Sequence, residues 1–333
     1  MTTDNDPIER KVQLTGGSTY TVSLPKEWAG GQHIEPGSTV NLYTRGDQLI
    51  ITRGTPESGS GRQARIDASD RDPATLALTV GSAYVSGCDE IRIEGLERTG
   101  DRRAVSRAIR RFVGLEVMAE DETGLTARTM LDAADLSPQQ TLAQIERTTL
   151  EMHADAITAV VEADGELGDR IVRQDDTVDR LFALVSRGFQ RSLVDPSVAL
   201  SRDGLSSFEY YMAGRQLERV ADHAEKIAEI ATRVDAAPPE DIAEMLVAYG
   251  ERSRDVLRDS LAGLLEADQD LSAVVSESEE LLSDIEALDE TLYTTDVEDR
   301  YHHGVVLDSI ERTVQYGVNI AEAGLQAKYR PKK

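Results

Sequence analysis

The chain repeats one of its own strings. Residues 217–229 read LERVADHAEKIAE and residues 310–322 read IERTVQYGVNIAE, a gap-free match. Glu218 aligns with Glu311, Arg219 with Arg312, and Ile227-Ala228-Glu229 with Ile320-Ala321-Glu322. Polar positions are kept along with the apolar stripe, more than amphipathic periodicity alone demands. A weaker match sets DTVDRL (176–181) beside EALDETL (286–292). Such duplication requires two like helical units, each burying its apolar face against neighbours. Six helices are predicted: 138–163, 166–194 and 204–235 in a first repeat (138–235), then 239–267, 270–294 and 299–328 in a second (239–330). Breaks are expected at Asp164-Gly165, Asp195-Pro196, Pro238-Pro239, Asp268–Asp270 and Asp296–Asp299. Ser137 is a fair N-cap with Pro138 at the first helical position. Long helices joined by short loops form up-and-down bundles, here tandem three-helix bundles.

Upstream the periodicity changes. Between residues 8 and 54, Arg10–Leu14 and Tyr20–Leu24 alternate as half-buried strands do, with Gly16-Gly17 between them. Pro25-Lys26-Glu27-Trp28 opens a short helix, Pro36-Gly37 turns into a strand at Thr39–Thr44, and Gly46-Asp47 turns into a strand at Gln48–Arg53. So short a segment cannot build its own core, which points to a homodimer. Thr55–Gly61 (TPESGSG) has the composition of a flexible linker. Residues 62–131 mix helix signals (Thr75–Val85, Asp101–Val113) with strand signals (Glu90–Glu94, Leu115–Ala119, Leu125–Met130), a small α/β middle domain. In its second helix Arg103, Arg107, Arg110 and Arg111 oppose an apolar stripe, either as a solvated face or as a contact for an acidic partner. The predicted fold is therefore multidomain, α plus β.

The formal charge is -25, with 36 Lys+Arg against 61 Asp+Glu, and it is unevenly placed. Residues 138–330 hold 40 acids and 18 bases, which leaves the rest nearly neutral. Only six residues are lysine. An acid-rich, lysine-poor surface suits concentrated salt, where the Debye length falls to about 3 Å and carboxylates crowd without strong repulsion. Cys88 is the single cysteine, so no intrachain disulfide or cysteine metal site is expected. No apolar run reaches the roughly 18 residues that span a bilayer, and Met1–Pro7 is polar, so a cytoplasmic protein without membrane insertion is expected.

Within the repeats, Asp175 and Asp179 share a helix face at i, i+4, and so do Glu218 and Asp222. Two such pairs on antiparallel neighbours can aim four carboxylates at one place. That arrangement calls for a cation, and hard oxygen donors suit magnesium, manganese or iron. In a region this acidic the spacing alone also describes a solvated face; its position inside the repeated strings distinguishes it.

RQLERVADHAEKIAE (215–229) closely resembles the signature helix of the PhoU family, and QDDTVDRL (174–181) its partner helix. The resemblance covers residues 138–330. It implies that the (E/D)xxxD motifs line a multinuclear metal site, usually iron or zinc, carried over here to Asp175, Asp179, Glu218 and Asp222. The second repeat departs from the pattern: Gln315 stands opposite Asp222 and Ile285 opposite Asp175, which leaves Glu286, Asp289 and Glu311 as a weaker second site. No organic cofactor is implied. RKVQLTGGSTYTVSLPKEW (10–28), EPGSTVNLY (35–43) and DQLIITR (47–53) resemble the SpoVT/AbrB family, in which two chains interlace hairpins into a swapped-hairpin β-barrel that binds DNA. Arg10, Lys11, Ser18, Lys26 and Arg45 are the positions expected to face DNA. The combination resembles a phosphate-uptake regulator of halophilic archaeal type. Expected partners are DNA, components of the phosphate ABC transporter, and signalling proteins. A dimeric adaptor that docks on the transporter or a kinase without binding DNA is the alternative. A metal-dependent phosphohydrolase at Asp175 and Glu218 has no Gly-rich loop or Ser/His pair in its favour, and His223 and His302-His303 add no site.

Overall fold

Gly16 and Gly17 hold φ of 63° and 77°. That left-handed backbone, natural to glycine, folds β1 (Gln13–Thr15) onto β2 (Thr19–Thr21). A second hairpin follows the short helix α1 (Lys26–Gly31): β3 (Val40–Arg45) pairs antiparallel with β4 (Gln48–Arg53). The computed structural model describes residues 7–45, 47–53, 61–131, 137–195, 205–234, 236–266, 269–294 and 299–329. It divides into two compact units, Met1–Ser60 and Gly61–Lys333.

In the first unit β1 and β2 are shorter than the alternation predicts, because a two-stranded ribbon without a third strand frays away from its turn. The two hairpins form separate two-stranded sheets, so one chain does not close the expected barrel. No described residue here is buried. Leu14 and Tyr20, cross-strand partners, are 60% and 78% exposed, and Val12, Leu42 and Leu49 are open too. Among its described residues the unit has strands but no core.

The second unit begins with β5 (Gln63–Asp67), α2 (Pro73–Val85) and β6 (Glu90–Glu94). β5 and β6 are parallel across the α2 crossover. Asp72 caps α2 by accepting from the Ala74 and Thr75 amides at 3.0 Å, with Pro73 at the first helical position. α3 (Thr99–Arg110) stops short of the expected Val113, as the chain turns at Gly114 (φ 72°) into β7 (Leu115–Glu120) and β8 (Gly124–Thr129). The sheet order is β5-β6-β8-β7, and its core holds Leu76, Val80, Tyr84, Ile91, Ile93, Val105 and Ile109. β5 was not among the strands expected.

The helical region comprises α4 (Pro138–Val161), α5 (Gly165–Val172), α6 (Asp175–Ser192), α7 (Ser207–Ala231), α8 (Glu240–Leu265), α9 (Leu271–Thr294) and α10 (Arg300–Lys328). The helix expected over 166–194 is thus two helices. At Arg173-Gln174 the backbone stays near the helical region, but Gln174 N–H bonds Ile171 O and Thr177 N–H bonds Gln174 O. These i→i+3 bonds interrupt the α ladder without any Gly or Pro to announce it. The break at Asp164-Gly165 is as expected: Asp164 accepts from the Leu167 amide at 2.9 Å. Gly168 lets α5 lie close on α7, since a Cβ there would meet the Ala228 carbonyl oxygen at 2.6 Å. The expected linker at 55–61 and the breaks at Asp195-Pro196, Asp268–Asp270 and Asp296–Asp299 lie wholly or partly outside the described residues.

α4 packs on α7, α8 on α10, and the two repeated helices α7 and α10 on each other. One core runs through both repeats, from Leu142, Ile157 and Leu217 to Leu257, Ile310 and Ile320. The α/β layer keeps its own core yet belongs to the same compact unit, with α2 lying against α6. Arg187 of α6, its side chain 5% exposed, donates to Tyr84 O (2.7 Å), Cys88 O (2.8 Å) and Asp89 (2.9 Å). Arg191 joins it on Asp89 at 3.0 Å. The α/β residues are therefore clasped to the bundle rather than set apart as an independent domain.

Candidate carboxylate site

α6 opens with Asp175 and Asp176 in its first turn, where carboxylates complement the helix dipole. Asp179 lies one turn on. α7 packs against α6 and carries Glu218, Asp222 and Glu225 on one stripe at spacings of four and three. All four predicted residues of the first repeat thus fall within electrostatic reach of one another.

Glu218 is the deepest; its side chain is 12% exposed. One of its oxygens accepts from Arg215 at 2.8 Å, and the other, Oε2, is buried without a hydrogen-bond partner. Asp175 Oδ1 is orphaned in the same way. A buried acceptor that forgoes water without a replacement costs about 1–3 kcal/mol, and more when charged. Burial pushes the Asp175 carboxyl up to about 7, with Asp179, Glu225, Asp222 and Glu218 adding like-charge repulsion. Burial likewise takes Glu218 to about 7; Asp222 adds to the rise and Arg215 opposes it. Asp179 is raised because burial outweighs the nearby Arg111, and Asp222 at the rim is raised by burial and by Asp179. Near neutral pH Asp175 and Glu218 sit between protonated and charged.

The donor set is all oxygen, and its two orphaned atoms fit a hard cation. Among the described residues, however, no three His, Cys, Asp or Glu side chains converge to hold a metal ion. Two arginines sit on the oxygens instead. Arg111 Nη2 donates to Asp176 at 2.8 Å and to Asp179 at 3.4 Å, and Arg215 holds Glu218. Arg111 caps α3, so one arginine of the face singled out in the sequence finds its acidic partner inside the same chain. Glu225 and Asp176 belong to the electrostatics of the cluster and were missed; the i, i+3 step from Asp222 was the signal for Glu225. Nothing in sequence signals Arg111 at this site, because it comes from another layer.

In the second repeat Glu286, Asp289 and Glu311 line a cavity of about 670 Å³ between α9 and α10. Gln315 donates its amide to Glu311 at 2.7 Å and accepts from Arg312 at 2.9 Å, so the neutral residue opposite Asp222 fills a hydrogen-bonding role. Ile285, opposite Asp175, is drawn into the core at 2% exposure. The corresponding positions of the two repeats have therefore diverged in chemistry.

In the first unit Arg10, Lys11, Ser18 and Lys26 are all exposed. Arg10 bonds the Glu9 carbonyl at 3.0 Å. Arg45 ends β3 opposite Gln48, and its side chain lies outside the described residues.

Residues 142–231, which span α4 to α7 and hold Asp175, Asp179, Glu218 and Asp222, match the family model described as PhoU domain. Residues 13–59 match the model described as antidote-toxin recognition MazE, bacterial antitoxin. The chain thus carries a PhoU domain and a MazE/AbrB-like domain. It is similar to the phosphate-specific transport system accessory protein PhoU homologs of Xylella fastidiosa strains 9a5c and Temecula1 / ATCC 700964. Each is 27% identical over 175 residues, which cover 50% of this chain and 73% and 72% of those proteins. The crystal structure of PhoU from Pseudomonas aeruginosa shares the fold, with a TM-score of 0.50 at 19% identity over 57% of this chain and 95% of that one.

Proposed function

We propose that the chain regulates phosphate uptake as an accessory to a phosphate-specific transport system, with its hairpin unit adding DNA-binding transcriptional control. The observation that carries the transport half is the PhoU-domain match, which encloses the whole first-repeat carboxylate cluster. The relatives named above are accessory proteins of phosphate-specific transport, which supports a regulatory rather than catalytic role. No described helix is long and apolar enough to cross a membrane, so contact with a transporter would run through its peripheral parts. Deleting the gene should raise phosphate uptake in phosphate-replete cells; unchanged uptake would reject this half.

DNA binding draws support from the MazE/AbrB-like match and from the exposed Arg10, Lys11, Ser18 and Lys26. Phosphate contacts lose affinity steeply with salt, so a module with few basic residues must rely on shape, backbone hydrogen bonds and dimer avidity. Footprinting upstream of phosphate-transport genes, at the protein's working salt, tests this directly. Absence of protection there, with uptake still altered, would leave the dimeric adaptor. The core-less hairpins with exposed Leu14 and Tyr20 favour self-association under either outcome.

The cluster itself we read as a hard-cation site held by Asp175, Asp179, Glu218 and Asp222, taking magnesium, manganese, iron or zinc. A cation there would supply the positive charge that the orphaned Asp175 Oδ1 and Glu218 Oε2 lack. Metal analysis of the purified chain, beside an Asp222→Asn variant, tests the assignment; equal metal content in the two would reject it.

A further inference from the structure

We propose that the outward face of α3 is a second DNA contact of this chain, at which Arg103, Arg107 and Arg110 bind backbone phosphates without reading sequence. The inference rests on the DNA-binding reading above and deepens it, because α3 belongs to the α/β layer and not to the hairpin unit.

Residues 98–111 hold six arginines and one acid, in a chain with 36 bases and 61 acids. Two of the six have partners inside the chain: Arg102 pairs with Glu120, and Arg111 with Asp176 and Asp179. Arg103, Arg107 and Arg110 are exposed, and among the described residues none of the three pairs with a carboxylate. At spacings of four and three they share one face over about 10 Å of helix. That face lies opposite the side that buries Val105, Ala108 and Ile109.

The remaining exposed residues of α3 are Thr99 and Gly100, so no apolar or aromatic side chain stands in the row. A protein interface is built around buried aromatic or aliphatic anchors, and a helix lying on a membrane needs an apolar face, which α3 has turned into the core. Guanidiniums among small polar residues fit phosphate oxygens, which take two parallel N–H bonds from one arginine. A DNA strand rises about 3.4 Å per phosphate, so about 10 Å of helix faces three of them. The MazE/AbrB-like match makes DNA the polyanion of choice. The surrounding layer does not oppose it: residues 61–131 carry 11 bases and 12 acids, against 18 and 40 in residues 138–330. Three phosphate contacts on α3 add to those of a hairpin unit that has few bases of its own.

Fluorescence anisotropy of the full chain on a labelled duplex from upstream of a phosphate-transport gene, titrated across salt, tests this. The comparison is wild type, the triple variant Arg103→Gln/Arg107→Gln/Arg110→Gln, and a control, Arg170→Gln/Arg173→Gln/Arg180→Gln, which removes as much charge from exposed arginines of α5 and α6. All six side chains are exposed, so thermal transitions should match wild type. The α3 variant should bind at least about ten-fold more weakly in low salt, and its log–log salt slope should be shallower by about 3. The same slope change should appear on an unrelated duplex of equal length, since phosphate contacts carry no sequence. The control should keep the wild-type slope. An α3 variant with the wild-type slope overturns the proposal, returns the row to a solvated face or a protein contact, and leaves DNA binding by the hairpin unit standing. An equal slope change in the control overturns it in favour of net charge alone. Absence of DNA binding by wild type at every salt overturns the DNA-binding reading itself, and the α3 contact with it.

Discussion

Arg187 of α6 donates to Asp89, between α2 and β6, at 2.9 Å from a side chain that is only 5% exposed. The same guanidinium donates to two backbone carbonyls and lies 5.0 Å over the Tyr84 ring. Removing one partner of a buried, hydrogen-bonded pair leaves the other uncompensated, at about 3–5 kcal/mol. Asp89 is only partly buried and keeps Arg191, so the lower end applies here. Arg187→Met should destabilise the chain by about 3 kcal/mol in urea unfolding. Arg187→Lys should recover only part of the loss, because one ammonium cannot span three acceptors in the guanidinium plane. A loss below about 1 kcal/mol would mean that the α/β layer is held mainly by its other contacts.

The carboxylate cluster should lower the stability of the metal-free chain. Asp175 moves from 3.8 to about 7 on folding, so the folded state holds a proton that the unfolded chain has released. Its contribution to stability is therefore full below about pH 4 and is lost as pH rises through about 7. Asp175→Asn should stabilise the metal-free chain by about 1 kcal/mol at mildly alkaline pH and change little in acid. Mn²⁺ binding should weaken in the same variant. Denaturant midpoints at the two pH values check the sign, and a variant destabilised at alkaline pH would contradict it.

His153 gives the opposite slope. It is fully buried on α4, accepts from Arg254 of α8 at 3.3 Å through Nδ1, and leaves Nε2 without a partner. Burial first, then Arg254 and His223, hold its pKa down from 6.5 to about 3. The unfolded chain takes up the proton first, so stability from a neutral His153 is full above 6.5 and is lost as pH falls toward 3. His153→Gln keeps an acceptor for Arg254 and cannot titrate. The carboxylates pull the other way over part of this window, so the difference between variant and parent carries the test. Relative to wild type, the variant should gain stability steadily as pH falls below about 6.5. A constant difference across that range would show that His153 titrates normally.

The legibility of this chain in its sequence followed the local physics of each element. Helix ends with strong local chemistry were readable: Ser137-Pro138, Asp164-Gly165 and Pro238-Pro239 all mark helix boundaries. The Arg173-Gln174 interruption was not, because two good helix formers there merely exchange i→i+4 for i→i+3 bonds. β5 was missed because five residues beside a linker-like stretch show little period, and its strand character comes from pairing with β6. That Asp175, Asp179, Glu218 and Asp222 lie near one another was legible, because helix spacing fixes which side chains share a face and the repeated strings single out these pairs. Arg111 was not, because its partners lie 65 and 68 residues away and only the docking of two layers brings them together.

The hairpin unit supplies the last test. Leu14 and Tyr20 face each other across β1 and β2, and Leu42 and Leu49 are likewise uncovered on the second hairpin. Nothing in the described unit is buried, so its strands cannot draw stability from a core of their own chain. Covering an exposed leucine is worth about 1.5–3 kcal/mol, and a two-fold pairing counts each position twice. Leu14→Asp should therefore shift the full chain from dimer to monomer in light scattering, by at least about 3 kcal/mol of association free energy. Tyr20→Asp should do the same. The helical region should keep its thermal transition in both variants, since its continuous core from Leu142 to Ile320 involves neither residue. A dimer that survives both substitutions would place the self-association surface elsewhere in the chain.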